Sequence, residues 1–300
     1  MSEHKSGFVN IIGRPNVGKS TLLNALMGER MSIITNKPQT TRHRIIGILN
    51  DADYQIVFSD TPGMIDDPAY KMQSAMNSFA FSTFEDADIM LFLVDVGEHY
   101  EEDAPIFERL NHLDVPTLLV LNKIDTIEKS ELETLQEVWS KRVPASKIVP
   151  ISALHKANTD LLLTSIIERL PEGPAYYPKD QFTDRSERFF MSEIIREKIL
   201  LNYHQEIPYA AEVIIDSFKE TETKAGADMV RIHATIFVER PTQKSILIGK
   251  NGKAIKQLGT DARKAMETFL ERKVFLELHV KVKDNWRNDD YLLKQFGYKN

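Results

Sequence analysis

The sequence predicts an α/β domain built on a mostly parallel sheet, followed by a smaller α+β domain. Three observations carry that prediction. Short apolar runs alternate with amphipathic stretches through residues 1–170, as parallel strands covered on both faces by helices require. The stretch PEGPAYYPKD at residues 171–180 holds three prolines and a glycine, through which no helix continues. Beyond it the pattern changes to a helix, two strands, a pair of helical stretches, a third strand and a closing helix. The expected limits are 1–170 for the first domain, 171–181 for a linker and 182–300 for the second domain.

In the first domain, strands are expected over 8–12, 54–59, 89–94, 117–121 and 147–151, and helices over 20–27, 70–84, 103–113, 129–142 and 159–169. Ligands of such sheets sit at the carboxyl ends of the strands, so the loops that follow strands are where chemistry is expected. The second domain opens with a helix over 186–203 and strands over 211–217 and 229–239. In the latter, Val230, Ile232, Ala234, Ile236 and Val238 alternate with more polar neighbours, the mark of a half-buried strand. Two helical stretches then flank residues 249–252. Ile255, Leu258, Ala262, Ala265 and Phe269 form the expected buried stripe of the second one. In the last strand Leu276, Leu278, Val280 and Val282 alternate with Glu277, His279, Lys281 and Lys283, and a helix follows from residue 286.

The chain has 300 residues, 42% of them hydrophobic and 27% charged, which excludes extended disorder and collagen-like repeats. It has no cysteine, so disulfides, iron–sulfur clusters, thiolate metal sites and a cysteine nucleophile are excluded. The longest strongly apolar run, residues 89–94, is far shorter than the ~20 residues that span a bilayer. The start, MSEHKSG, lacks the apolar core of a secretion signal, and an intracellular, soluble protein is expected. Net charge is −6, but unevenly spread. Residues 1–180 carry 17 Lys+Arg against 26 Asp+Glu, whereas residues 240–287 carry 12 against 5. An acidic front half and a locally basic back half are an electrostatic footprint to be tested for nucleic acid, although charge alone favours a solvated charged surface.

GRPNVGKS, residues 13–20, follows the first strand and opens the first helix, and matches the G-x-x-x-x-G-K-[ST] phosphate loop. Its glycines let backbone N–H groups turn toward a β-phosphate, with the helix N-terminus adding a favourable dipole. Lys19 is expected to neutralise β- and γ-oxygens and Ser20 to ligate Mg²⁺. Nucleotide contacts are expected through Gly13, Arg14, Pro15, Asn16, Val17, Gly18, Lys19, Ser20 and Thr21. DTPG (Asp60, Thr61, Pro62, Gly63) follows the second strand, where Asp60 can hold Mg²⁺ through water and the Gly63 N–H can sense a γ-phosphate. NKID brings Asn122, Lys123 and Asp125. Asp125 can accept from the N1–H and 2-amino group of guanine, a pattern that adenine lacks and that would leave the buried carboxylate unpaired. ISA brings Ser152 and Ala153, whose N–H can reach the guanine carbonyl. Four such elements, in order and each at a strand's end, point to guanine nucleotide.

This arrangement resembles the translation-factor-related GTPases over the first ~170 residues, and so implies a P-loop GTPase fold. In that family a threonine between the phosphate loop and DxxG closes on Mg²⁺ in the GTP state. Here PQTTRHR offers Thr41, with Thr40 as the close alternative. Lys19, Thr41 and Gly63 are thus the expected catalytic set. Residue 64 is Met, where Ras-like relatives place a water-orienting glutamine, so slow intrinsic hydrolysis is expected. Asn16 resembles the asparagine through which some relatives recruit K⁺.

In the second domain, ILIGKNGKAIK resembles the KH module, whose G-x-x-G loop clamps four single-stranded nucleotides. The expected RNA contacts are Ile248, Gly249, Lys250, Asn251, Gly252, Lys253 and Lys256. The element order resembles the type II KH arrangement. The eight histidines show no metal-ligand spacing; His43 is expected at the surface, and the carboxylates of residues 101–103 as a solvated helix start.

A GTPase with QTTRHR, DTPG and NKID followed by a KH module resembles the bacterial Era family over the whole chain. That resemblance implies a GTP-hydrolysing switch that uses Mg²⁺. It also implies binding to the 3′ end of 16S ribosomal RNA, a role in assembly of the small (30S) subunit, a monomeric state, and a cytoplasmic location with peripheral association at the inner membrane. The alternative is a membrane-surface regulatory GTPase whose basic tail reads anionic lipid or another RNA.

Overall fold

The computed structural model describes residues 4–35, 37–65, 67–101, 104–144, 146–222 and 226–298. The expected start of a helix at residue 103, and two of the carboxylates of 101–103, lie outside the described residues. The chain divides into two compact units. The first holds residues 1–32, 41–67 and 76–184; the second holds 33–40, 68–75 and 185–300.

The first unit is built on a six-stranded sheet of β1 (Lys5–Ile12), β2 (Ile45–Asn50), β3 (Tyr54–Asp60), β4 (Ile89–Asp95), β5 (Thr117–Asn122) and β6 (Lys147–Pro150). The order is β2-β3-β1-β4-β5-β6. All pairings are parallel except β2 with β3, whose antiparallel register sets Ile45 opposite Asp60. Strand β2 is an addition to the expected set. It is an edge strand whose apolar run is interrupted by Gly47, which weakens its propensity signal. The central strands read as unbroken apolar runs because both faces are covered, and residues 89–94 are all fully buried.

Helices α1 (Lys19–Met27), α2 (Lys71–Ser82), α3 (Pro105–Asn111), α4 (Lys129–Arg142) and α5 (Thr159–Arg169) follow the strands, close to the expected spans. One core cluster packs Phe92, Leu119 and Leu121 of the sheet against Phe107, Leu110 and Trp139 of α3 and α4. Each such fully buried side chain contributes roughly 1.5–3 kcal/mol. Residues 171–184, expected in large part as a linker, are strapped to this sheet instead. Ser6 N–H donates to the Pro171 carbonyl at 3.0 Å, Ile48 N–H to that of Phe182 at 2.8 Å, and Gln55 Nε2 to that of Tyr177 at 2.8 Å. The prolines end α5, but the freed backbone finds partners on strand edges, so the segment counts with the first unit.

The second unit contains α6 (Glu187–Asn202), α7 (Ile207–Ala210), β7 (Glu212–Glu222), β8 (Asp228–Val238), α8 (Pro241–Ile248), α9 (Lys253–Leu270), β9 (Lys273–Val282) and α10 (Asp290–Gln295). Its three-stranded sheet runs β7-β8-β9, antiparallel then parallel. Val230, Ile232, Ala234, Ile236 and Val238 of β8 are buried, as their alternation requires. The stripe of α9 differs from expectation. Leu258, Ala262, Met266 and Leu270 are buried, whereas Ile255 and Ala265 are half-buried and Phe269 is 37% exposed. The core follows the i, i+4 ridge, which shifts the inner face one residue past Ala265 and Phe269. Phe269 lies at the edge, stacked on Phe190 with ring centroids 5.2 Å apart. The closing helix is also shorter than expected and begins only at Asp290, with Trp286 buried ahead of it and bonded to the Ala210 carbonyl at 2.9 Å.

Candidate functional site

The phosphate loop joins β1 to α1, and its lysine is held in place before any phosphate is considered. Lys19 is 7% exposed and its Nζ donates to the carbonyls of Gly13 (3.0 Å) and Arg14 (2.8 Å). Burial lowers its pKa to about 8, opposed in part by the negative charges of Asp60 and Glu98. Arg14 turns away from the loop. Its guanidinium stacks 4.0 Å over the Tyr100 ring and donates to the His99 carbonyl at 2.8 Å, so it anchors the loop to the segment after β4. Gly63 packs against the same loop: a Cβ there would lie 2.7 Å from the Pro15 nitrogen, a contact only glycine permits.

Three oxygen-bearing side chains, from α1, the end of β3 and the segment before β2, converge at the start of α1. Ser20 Oγ donates to Asp60 Oδ2 at 2.7 Å and lies 2.9 Å from Thr41 Oγ1, which is 3.4 Å from the same carboxylate. Asp60 is fully buried, its pKa is raised by that burial, and its second oxygen, Oδ1, has no hydrogen-bond partner. A hard-oxygen donor set around an orphaned carboxylate oxygen fits a divalent cation such as Mg²⁺. Thr41, not Thr40, is the one that reaches this point; Thr40 Oγ1 bonds Thr35 Oγ1 at 2.7 Å. Met64 packs against the aromatic core and offers the site no polar group. Thr61 also turns inward, bonding the Ile11 carbonyl at 3.3 Å.

The base-side loops are tied together by Asn122. Its Nδ2 donates to the Val17 carbonyl at 2.8 Å, and its Oδ1 accepts from the Ala153 N–H at 2.9 Å. The Ala153 N–H, expected to reach a guanine carbonyl, is thus engaged by Asn122 here. Lys123 adopts φ +68° and lays its Nζ on the Asn16 carbonyl (3.0 Å) and Asp95 Oδ2 (2.5 Å). Asp125 departs from the expected burial, its side chain being 30% exposed. A hydrogen bond from Ser152 and the nearby His155, 3.7 Å away, hold its carboxyl below the usual range. It is therefore ionised and available as a pure acceptor at neutral pH. His43, expected at the surface, is 8% exposed and faces Phe79 with ring centroids 6.2 Å apart.

In the second unit, Gly249 adopts φ +70°, where a Cβ would sit 2.6 Å from that of Ala254. The turn through Asn251 (φ +54°) and Gly252 (φ +74°) exposes Lys250, Asn251, Lys253 and Lys256 beside the N-terminus of α9. Cations in a helix's first turn oppose its dipole, so Lys253 and Lys256 are not there to stabilise α9. They and the helix N-terminus together favour an anion. Arg196 and Glu193 are also buried, a pair that sequence reasoning missed because charges three apart on a helix look like surface residues.

Known proteins share this arrangement. Residues 8–123 match the family described as "50S ribosome-binding GTPase", and residues 206–287 match "KH domain". The GTPase Era of Syntrophus aciditrophicus is 48% identical over 295 residues, covering 98% of this chain and 95% of that protein. The chain belongs to the Era family of GTPases. A GTPase Era of Ruminiclostridium cellulolyticum is 43% identical, covering 99% of this chain and 98% of that protein. Among solved structures, a point variant of Aquifex aeolicus Era bound to GDP·AlF4⁻ superposes with a TM-score of 0.93 at 39% identity, covering 99% of this chain and all of that one. An Era in complex with MgGDPNP and nucleotides 1506–1542 of 16S ribosomal RNA matches with the same TM-score, identity and coverage. The Era fold, a P-loop GTPase domain followed by a KH domain, is therefore the fold of this chain. Among the described residues, no helix is long and apolar enough to cross a membrane.

Proposed function

We propose that this Era-family chain is a GTP-hydrolysing switch that binds the 3′ end of 16S ribosomal RNA and assists assembly of the 30S subunit. The observation that carries the switch is the convergence of Ser20 and Thr41 on the Asp60 carboxylate, whose Oδ1 has no hydrogen-bond partner. Mg²⁺ held there would neutralise charge on the β- and γ-oxygens. Lys19 adds its ammonium to the same oxygens, and the Gly63 N–H senses the γ-phosphate from beside Pro15. Ser20 and Thr41 would ligate the ion, and Asp60 would hold it through water. On the base side, Asp125 accepts from guanine's N1–H and 2-amino group, Lys123 and Asn122 fix the loops, and Ser152 with Ala153 closes the pocket edge. Asn16 is the residue that would recruit K⁺.

The GTPase function is assigned to residues 1–170 and RNA binding to 182–300, with residues 171–181 as the connection. Exposed Lys250, Lys253 and Lys256 around a helix N-terminus support phosphate contacts by the latter domain. The protein works in the cytoplasm. Crosslinking the GDPNP-loaded protein to total RNA and sequencing what is recovered tests the assignment. Enrichment of the 16S 3′ end is expected; recovery of unrelated RNA, or binding to anionic vesicles in place of RNA, would overturn it.

A further inference from the structure

Arg14 stands at a position that the phosphate-loop motif leaves open, directly after Gly13. Its guanidinium lies 4.0 Å over the Tyr100 ring, and its Nη1 donates to the His99 carbonyl at 2.8 Å. Every residue of this arrangement belongs to the first unit. Tyr100 is a fixed platform. It is buried, and its ring meets those of Phe92, Phe107 and Trp139 at centroid distances of 6.0, 5.9 and 5.5 Å. Arg142 of α4 donates to the Tyr100 carbonyl at 3.1 Å, which fixes the backbone as well. The half-buried Glu98 carboxylate supplies a negative charge that acts on Arg14.

The two halves of the phosphate loop are held by different groups. In the far half, the Asn16 carbonyl accepts from Lys123 Nζ at 3.0 Å and the Val17 carbonyl from Asn122 Nδ2 at 2.8 Å. In the near half, the carbonyls of Gly13 and Arg14 accept from Lys19 Nζ. Lys19 is also the group that meets the phosphates. The Arg14 side chain is thus a hold on the near half that nucleotide binding leaves untouched. Arginine suits this place, because its planar guanidinium lies flat on an aromatic face while its N–H groups reach a carbonyl. A lysine has neither the plane nor the fork.

We propose that Arg14 is a positioning residue for nucleotide binding: stacked on Tyr100, it fixes the near half of the phosphate loop in the shape that receives the β-phosphate. It touches no phosphate itself. The proposal rests on the reading of residues 13–20 as the phosphate loop. GDP and GTP share the β-phosphate, so the anchor serves both alike, in the ground state as in the transition state. A group that reached the γ-phosphate would distinguish them.

The test measures GDP and GDPNP affinities, kcat, KM and melting temperature of the full chain for Arg14→Met, Arg14→Lys, Tyr100→Phe and Lys19→Ala. Methionine keeps bulk without charge, lysine keeps the charge without the plane, and phenylalanine keeps the ring. Arg14 is only half-buried, and the lysine variant keeps the test open should the methionine variant melt. Both Arg14 variants are expected to weaken GDP and GDPNP alike by about tenfold, with KM raised and kcat held, as a loss of uniform binding requires. Tyr100→Phe is expected to stay within about threefold of wild type, since the stack survives. Wild-type affinity in Arg14→Lys would return the role to charge alone and overturn the proposal. A GDPNP-over-GDP preference changed by more than about threefold in the Arg14 variants would overturn it too, by placing the guanidinium at the γ-phosphate. So would a loss in Tyr100→Phe as large as that in Arg14→Met, because the ring would not be the platform. If Lys19→Ala binds GDP as the wild type does, it is the phosphate-loop reading that fails, and the anchor with it.

Discussion

Asn122 and Val17, 105 positions apart, are joined by one hydrogen bond of 2.8 Å from the Asn122 amide to the Val17 carbonyl. Because the same side chain accepts from Ala153, a single buried amide sets the spacing between the phosphate loop and the loop after β6. Asn122→Ala would leave the Val17 carbonyl and the Ala153 N–H unsatisfied. A loss of about 1–3 kcal/mol in urea unfolding is expected, together with weaker binding of both GDP and GTP. An unchanged unfolding midpoint would show that the bridge is replaceable by water.

Asp125→Asn should exchange guanine for xanthine, because an amide complements a 2-oxo group where the carboxylate complemented an amine. GTP affinity should drop by about 100-fold or more and XTP affinity should rise. Competition between the two nucleotides for the variant measures this directly, and a retained preference for GTP would place base recognition elsewhere.

Lys19 gives a pH dependence. Its pKa in the folded protein is about 8, below the ordinary 10.5, so below pH 8 the ammonium is charged and its desolvation penalty is fully present. Between pH 8 and 10.5 the unfolded chain binds the extra proton, so this group's contribution to stability rises with pH across that window. Nucleotide affinity moves the opposite way. Binding a triphosphate above pH 8 requires Lys19 to take up a proton, so GDPNP affinity should be flat to about pH 8 and then fall by up to about tenfold per pH unit. Calorimetry at about one pH unit above that value, in buffers of different ionisation enthalpy, should register proton uptake. None at all would contradict the role of Lys19.

Lys250→Asp with Asn251→Asp places two negative charges in the turn before α9. RNA affinity should fall by at least about tenfold at physiological salt. Its salt dependence should become shallower, since every phosphate that the turn no longer neutralises keeps its own counter-ions. Both side chains are exposed, so melting temperature and RNA-free GTP affinity should hold. Filter binding to single-stranded RNA at two salt concentrations decides it.

Much of this is legible in the sequence because it is local. The phosphate loop, DTPG, NKID and ISA each lie beside the strand that aims them, and short unbroken apolar runs such as residues 89–94, all buried, fit a doubly covered strand. What escapes a reading of the sequence is set by distant partners. Nothing near Tyr177 announces that its carbonyl will be taken by Gln55, so proline content alone suggests a free linker. The burial of His43 depends on Phe79, thirty-six positions away, and that of Arg196 on two carbonyls more than 150 positions earlier. Ala153 is a subtler case: its place is as expected, but the amide already has an acceptor in Asn122.

The path of the chain through its two compact units has a consequence for modularity. It passes from one to the other five times, because residues 33–40 and 68–75 count with the second unit. A single cut near residue 184 therefore does not yield two complete halves. The front fragment would keep Lys37, Gln39 and Lys71 but lose their hydrogen-bond partners, among them Arg196, the Leu200 carbonyl and Asp290. Recombination between relatives meets the same obstacle. A foreign second unit is complete only when it brings its own counterparts of residues 33–40 and 68–75 as well as of 185–300.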